Sequence, residues 1–122
     1  MKIVIIEDEK DLSTLMRNFL IKQFQTDSSA AVIKIAHTLS EGKHIVSNLK
    51  PDWIFLDNNL PDGKGINEIV HLKSTPSPDP VKVVMMSAMT NLRDEALHLG
   101  ADFFLDKPIS FNAVIKIIAS NS

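Results

Sequence analysis

The sequence predicts a three-layer α/β fold in which five strands alternate with five helices. Three observations carry that reading. Short apolar runs rich in β-branched residues recur along the chain. Between them lie segments with apolar residues at helical spacing. The runs at 3–6 and 53–56 are unbroken rather than alternating, as in strands buried on both faces. Strands separated by helices imply a parallel sheet covered on both sides.

Residues 3–6 are four β-branched positions and form the first strand, which ends at two acids. Leu12, Leu15, Met16, Phe19 and Leu20 share one side of a first helix over 11–24. Thr26, Asp27, Ser28 and Ser29 form a loop by composition. Residues 31–36 make a second strand with Lys34 in its middle. Thr38, with Glu41 three residues on, predicts a capping box for a second helix. Ile45, Val46 and Leu49 line one face of that helix, and Pro51 stops it. Residues 53–56 are the third strand. The segment 58–65, with Pro61, Gly63 and Gly65, is a turn-rich loop, and Ile66, Ile69 and Val70 mark a short third helix. Residues 75–80 read Thr-Pro-Ser-Pro-Asp-Pro, a rigid connector rather than a kinase site. Residues 81–86 are the fourth strand. Leu92, Ala96 and Leu99 place a fourth helix ended by Gly100. Residues 103–105 are a short fifth strand, and Ser110 caps a last helix that buries Ala113, Val114, Ile117 and Ile118.

Strands one and three have unbroken apolar centres, and strand four carries Lys82 only near its start. Strand two contains a lysine and strand five is very short. Sheet edges tolerate charge and brevity, whereas central strands do not. Strands one, three and four therefore sit in the middle. This is the flavodoxin-like (βα)5 order 2-1-3-4-5, with a switch point between strands one and three.

The 122 residues make one domain, 1–122, with a single core. Apolar residues at 44% and charged ones at 23% fit an ordinary globular protein and argue against a disordered chain or coiled coil. A net charge of −2 makes direct nucleic acid binding by this domain a poor reading. The absence of cysteine excludes disulfides, thiol chemistry and cysteine metal sites. The apolar runs are too short to span a bilayer, and the N-terminal run meets acids before a signal-peptide core forms. The expected location is the cytoplasm.

In such a sheet, ligands bind beyond the carboxyl ends of the strands, at the switch point. Strand one ends in Glu7-Asp8, strand three in Asp57, strand four in Ser87, and strand five leads through Asp106 to Lys107-Pro108. Strands one and three are neighbours, so three carboxylates meet and repel one another. An oxygen-only donor set favours a hard divalent cation, magnesium before zinc. Lys107 supplies a fixed cation and Ser87 a hydroxyl. Together these groups suit phosphoryl transfer onto Asp57 as nucleophile.

This set, with the segments L-D-N-N-L-P-D-G-K-G, M-M-S-A-M and L-G-A-D-F-F-L-D-K-P, resembles the receiver domain of bacterial two-component response regulators, the chemotaxis-regulator type included. The resemblance covers essentially the whole chain. It implies that Asp57 is the phosphoacceptor, and that Mg2+ is held by Glu7, Asp8, Asp57 and the backbone carbonyl of Asn59. It implies that Lys107 pairs with the phosphoryl group, with Pro108 following a cis peptide. Ser87 becomes the switch hydroxyl, and Phe104 the switch aromatic, turning inward when Ser87 moves. Ala88 leaves room for the phosphodonor. The implied donor is a sensor histidine kinase or histidine phosphotransfer protein. The implied readout is the face made by helix four, strand five and helix five, addressed to a downstream effector. Enzymatic activity would be limited to self-phosphorylation and self-dephosphorylation.

Serine at 87 and phenylalanine at 104 replace the more frequent threonine and tyrosine of that family. Asn59 and Met89 would flank the hydrolytic water, and methionine cannot orient water strongly, so slow self-dephosphorylation is expected. The resemblance allows a phosphorylation-dependent dimer, but the last helix holds one lysine and no arginine, which speaks against dimerisation through charge pairs there. It allows equally a free-standing domain and the N-terminal part of a longer, transcriptional or enzymatic, regulator.

Taken alone, each motif has a plainer reading. Glu7-Asp8 also suits an acidic turn at a helix start, Lys107 a surface lysine, and Ser87 a cap. His37, His44, His71 and His98 are scattered and read as surface or boundary residues, and Met85 and Met86 as core fill. Two other functions compete. A dehalogenase-type phosphohydrolase needs an acid two residues past its nucleophile, where Asp57 has Asn59 and Asp8 has Lys10. A flavin-binding module needs a Ser/Thr/Gly-rich loop after strand one, where this chain has E-D-E-K. An unphosphorylated scaffold usually lacks the acceptor or the lysine, and both are present.

Overall fold

The computed structural model describes residues 1–24, 31–74 and 79–121. The predicted loop at 26–29 and most of the connector at 75–80 lie outside these residues. Five strands form one parallel sheet: β1 (Lys2–Ile6), β2 (Val32–Ala36), β3 (Trp53–Asp57), β4 (Lys82–Ser87) and β5 (Phe103–Asp106). Their order is β2-β1-β3-β4-β5, the flavodoxin-like order expected from the sequence. β3 is buried throughout, and β1 and β4 are buried from their second residue on. β2 alternates between exposed and half-buried residues until its last, as an edge strand does.

Helices α1 (Lys10–Phe24), α2 (Leu39–Leu49), α3 (Ile69–Lys73), α4 (Arg93–His98) and α5 (Phe111–Ser120) cover the sheet. The period-2 alternation of the strands divides the core. Val4, Ile6, Ile54, Leu56, Val83, Met85 and Phe104 face the layer holding α2, α3 and α4. Ile3, Ile5, Trp53, Phe55, Val84 and Met86 face α1 and α5. Single-turn 3₁₀ segments, Gly65–Glu68 and Thr90–Leu92, lead into α3 and α4. Ser110 caps α5 by accepting from the Ala113 amide at 3.3 Å. Lys50, in the left-handed conformation just before Pro51, closes α2.

Some predicted details differ. Thr38 accepts from the Glu41 amide at 3.1 Å as a cap should, but the Glu41 carboxylate reaches back to the amide of His37 at 3.2 Å, one residue earlier than the capping box. The turn-rich loop contains a two-residue antiparallel hairpin, Asn59–Leu60 with Gly63–Lys64. Val70 is 60% exposed, because the 3₁₀ turn rotates the following helix so that Ile66, Ile69 and Leu72 face inward. Leu15 is 58% exposed, and the small Ser13 takes a buried place on α1. Ala113 and Ile117 are half-buried, leaving Val114 and Ile118 as the buried stripe of α5.

This orientation of α3 sets an expectation. Ile69→Ala lowers stability by about 2–4 kcal/mol in urea unfolding. Val70→Ala, one position on, changes it by less than about 0.5 kcal/mol. Equal effects would show that the helix is turned otherwise.

Candidate functional site

Parallel register aligns the strand ends. Ile6 pairs with Ala36 and Leu56, Asp57 with Met86, and Ser87 with Asp106. Residues one step beyond these pairs therefore meet at one edge of the sheet. Glu7 is 0% exposed, Asp57 2% and Ser87 1%, whereas Asp8 is open to solvent. One carboxylate oxygen from each of Glu7, Asp8 and Asp57 falls within 4.8 Å of the others.

Lys107 leans across this floor. Its Nζ donates to Glu7 Oε1 at 2.7 Å and lies 3.2 Å from Asp57 Oδ1, with Glu9 further off at 3.9 Å. The Lys107-Pro108 peptide is cis. Burial pulls Lys107 down, but the hydrogen bond to Glu7 and the charges of Asp57 and Glu7 outweigh it, so it titrates above its ordinary value. Burial pushes the Glu7 carboxyl up to about 7. Bonds from Lys107 and from the Glu9 amide hold it back, and the neighbouring Asp57 raises it further.

The loop after β3 is held by backbone geometry. Asn58 is buried; its amide donates to the Met86 carbonyl at 3.2 Å and its carbonyl accepts from Gly65 at 2.8 Å. Its side-chain oxygen accepts from the Ile66 amide at 3.1 Å. A Cβ on Gly65 would lie 2.2 Å from the Asp57 carbonyl oxygen, so only glycine fits there. Asp62 accepts from the first amides of α2, Leu39 at 2.8 Å and Ser40 at 3.0 Å, and these bonds hold its carboxyl below the usual range. Asn59 is exposed, with its side-chain oxygen accepting from Lys64 Nζ at 2.8 Å.

The Ser87 hydroxyl accepts from the Met89 amide at 3.0 Å, and the Ser87 carbonyl accepts from the Lys107 amide at 3.0 Å. Phe104 is only 7% exposed and belongs to the core. The inward ring expected to accompany a shifted Ser87 hydroxyl is thus found with that hydroxyl on Met89. Beside Lys107 opens a cavity of about 510 Å³, lined by Glu9, Leu12, Leu15, Ala88, Pro108 and Ile109.

The structure therefore gathers Glu7, Asp8, Asp57, Ser87 and Lys107 at one end of the sheet. Asn59 stands on the adjoining hairpin, and Phe104 stands apart in the core. Sequence reading missed Asn58, Asp62 and His37. The signal for His37 was its place directly after β2, beside the end of β1.

The donor set fits a hard cation. Ionised, the three carboxylates exceed the charge of Lys107 by two, the charge of one magnesium ion.

Comparison with known proteins agrees. The model of the response regulator receiver domain family matches residues 3–119. The transcriptional regulatory protein CitB of Klebsiella pneumoniae is 37% identical over 109 residues, covering 88% of this chain and 44% of that protein. The KDP operon transcriptional regulatory protein KdpE of Escherichia coli K12 is 34% identical over 108 residues, covering 87% and 44%. This chain thus spans less than half the length of these relatives. The crystal structure of the signal receiver domain of a DNA-binding response regulator from Colwellia psychrerythraea 34H superposes with a TM-score of 0.87 at 30% identity, covering 98% and 96% of the two chains. Among the described residues, no helix is long and apolar enough to cross a membrane.

The raised Glu7 carboxyl yields a pH dependence. Between pH 4.5 and about 7 the unfolded chain has lost this proton and the folded protein retains it. The folded state then binds more protons, so stability falls as pH rises through that window. Measured in EDTA, the stability of wild type relative to Glu7→Gln declines across it by up to about 3 kcal/mol. A pH-independent difference between the two proteins would refute the assignment.

Proposed function

The chain belongs to the response regulator receiver domain family, and from that premise we propose that it acts in the cytoplasm and accepts a phosphoryl group on Asp57 from a sensor histidine kinase or histidine phosphotransfer protein. The observation that carries this reading is the 3.2 Å approach of Lys107 Nζ to Asp57 Oδ1 on a buried floor shared with Glu7. An Asp57 oxygen forms the bond to phosphorus while the phosphorus–nitrogen bond of the donor breaks, and its electron pair leaves with the donor imidazole. Lys107 stands beside the attacked group and offsets the charge gathering on the phosphoryl oxygens. Glu7, Asp8, Asp57 and the Asn59 carbonyl would hold Mg2+, which when bound supplies further positive charge against those oxygens.

Buried position keeps Asp57 from bulk water, and the apolar lining of the adjoining cavity suits a docked donor protein. Once Asp57 is modified, the Ser87 hydroxyl, whose lone pair accepts from the Met89 amide, turns its proton toward a phosphoryl oxygen. The Met89 amide follows that rotation, which pulls on the start of the 90–92 turn and thereby on α4. The output surface in this reading is the face of α4, β5 and α5, acting on an effector. The curated relatives' names favour a transcriptional one. The domain itself makes no nucleic acid contact in this reading, and it acts as a switch rather than a turnover enzyme.

Intact mass after incubation with acetyl phosphate tests this. We expect one phosphate adduct that requires Mg2+ and is lost in Asp57→Asn. Lys107→Met should form it about tenfold more slowly or worse. No adduct on folded wild type overturns the reading, and many donor turnovers per minute would make the protein a phosphohydrolase. Met89 gives the hydrolytic water no strong partner, so the adduct should persist through purification; loss within seconds would contradict that role.

A further inference from the structure

Of the five strand ends, that of β2 alone has no part in the phosphoryl chemistry proposed above. The residue that follows it nevertheless reaches the site. His37 Nδ1 lies 2.9 Å from the carbonyl oxygen of Glu7, across a chain separation of 30 residues. Sheet register creates this meeting, because Ile6 pairs with Ala36 and the Glu7 amide donates to the Ala36 carbonyl at 2.9 Å. A carbonyl oxygen can only accept, so Nδ1 must carry the proton, which fixes the tautomer of the neutral ring.

The imidazole is itself anchored. The His37 amide donates to Glu41 on α2 at 3.2 Å, and Asp62 of the acceptor loop holds the first turn of the same helix. His37 thus ties the end of β1 to an element already tied to the end of β3. The carbonyl that it holds belongs to the Glu7–Asp8 peptide, which joins two of the three clustered carboxylate residues. Rotation of that peptide would swing Asp8, the exposed member of the cluster, away from the other two.

We propose that His37 is a positioning residue for the cation site: its Nδ1–H pins the Glu7–Asp8 peptide so that both carboxylates face a divalent ion. The proposal rests on the receiver reading and adds to it a residue from the edge strand. The effect of such an outer hydrogen bond on metal affinity is indirect, acting through ligand orientation.

Two measurements test it. Long-range 1H–15N spectra of the metal-free protein should show the neutral His37 ring as the Nδ1–H form; the Nε2–H form overturns the proposal. Calorimetric titration with Mg2+ alone then compares wild type with His37→Phe, which keeps a ring without a donor, and His37→Asn, which restores an N–H near the Nδ1 position. His37→Phe should bind about three- to tenfold more weakly. His37→Asn should return to within about twofold of wild type. Unchanged binding in His37→Phe, or binding by His37→Asn as weak as that of the Phe variant, overturns the proposal. His37→Ala replaces the Phe variant, with the same expectation, if the latter fails to fold. Wild type that binds no Mg2+ would count against the receiver reading itself, while the tautomer would still decide whether the His37 bond exists.

Discussion

Crowded negative charge at the carboxyl end of the sheet is the constraint to which the rest of this structure answers. Glu7 and Asp57 are almost wholly withdrawn from water, Asp8 adds a third carboxylate, and Lys107 is the cation in contact with two of them. Buried like charges cost free energy unless they are neutralised or bound. This chain does part of that itself, through the Lys107 bonds and through the raised affinity of Glu7 for a proton. What remains is negative charge that a divalent cation can offset. A core built only for stability would have placed apolar residues at these strand ends.

Holding such a site requires rigidity in the loops around it, and the structure supplies it through side chains that bond to backbone. Asn58 fastens the loop after β3 to the 3₁₀ turn that leads into α3, Asp62 fastens the same loop to α2, and His37 joins the α2 side to β1. Gly65 is required because the loop returns against the Asp57 carbonyl too closely for any Cβ. Each tie spans eight to thirty residues of chain. The position of Asp57 is therefore a property of three strand ends together and not of β3 alone.

That same non-locality explains which parts were legible from the sequence. The sheet order could be argued from Lys34, the brevity of the fifth strand and the unbroken centres of the others, because burial on both faces leaves a compositional mark on each strand separately. The meeting of Glu7, Asp8, Asp57, Ser87 and Lys107 followed from that order and one rule about strand ends. The orientation of α3 did not follow, since the 3₁₀ turn at 65–68 shifts the helical phase and turns Val70 outward. Leu15 misled for a different reason: it borders the cavity beside Lys107, where an apolar residue is exposed instead of packed. Asn58 and Asp62 lie inside the quoted L-D-N-N-L-P-D-G-K-G segment and His37 directly follows β2, but which backbone groups they bond emerges only when distant chain is brought alongside.

Phe104 bears on where the energy of switching must come from. Its strand partner is Met85, and it shares the core with Ala96 of α4. A phenyl ring without a hydroxyl gains nothing from water, and burying it is favourable by about 2 kcal/mol. An inward ring is accordingly the resting preference of this residue, and phosphorylation has little to gain by driving it there. In the receiver reading, the difference between states then falls on the Ser87 hydroxyl, which must aim its proton at a phosphoryl oxygen while its lone pair holds the Met89 amide. It falls also on Lys107, which must turn from Glu7 toward a phosphoryl oxygen. The move of Lys107 redistributes the charge at the sheet end, and the phosphoryl group adds to it, so the same crowding that constrains the fold is what the switch would act on.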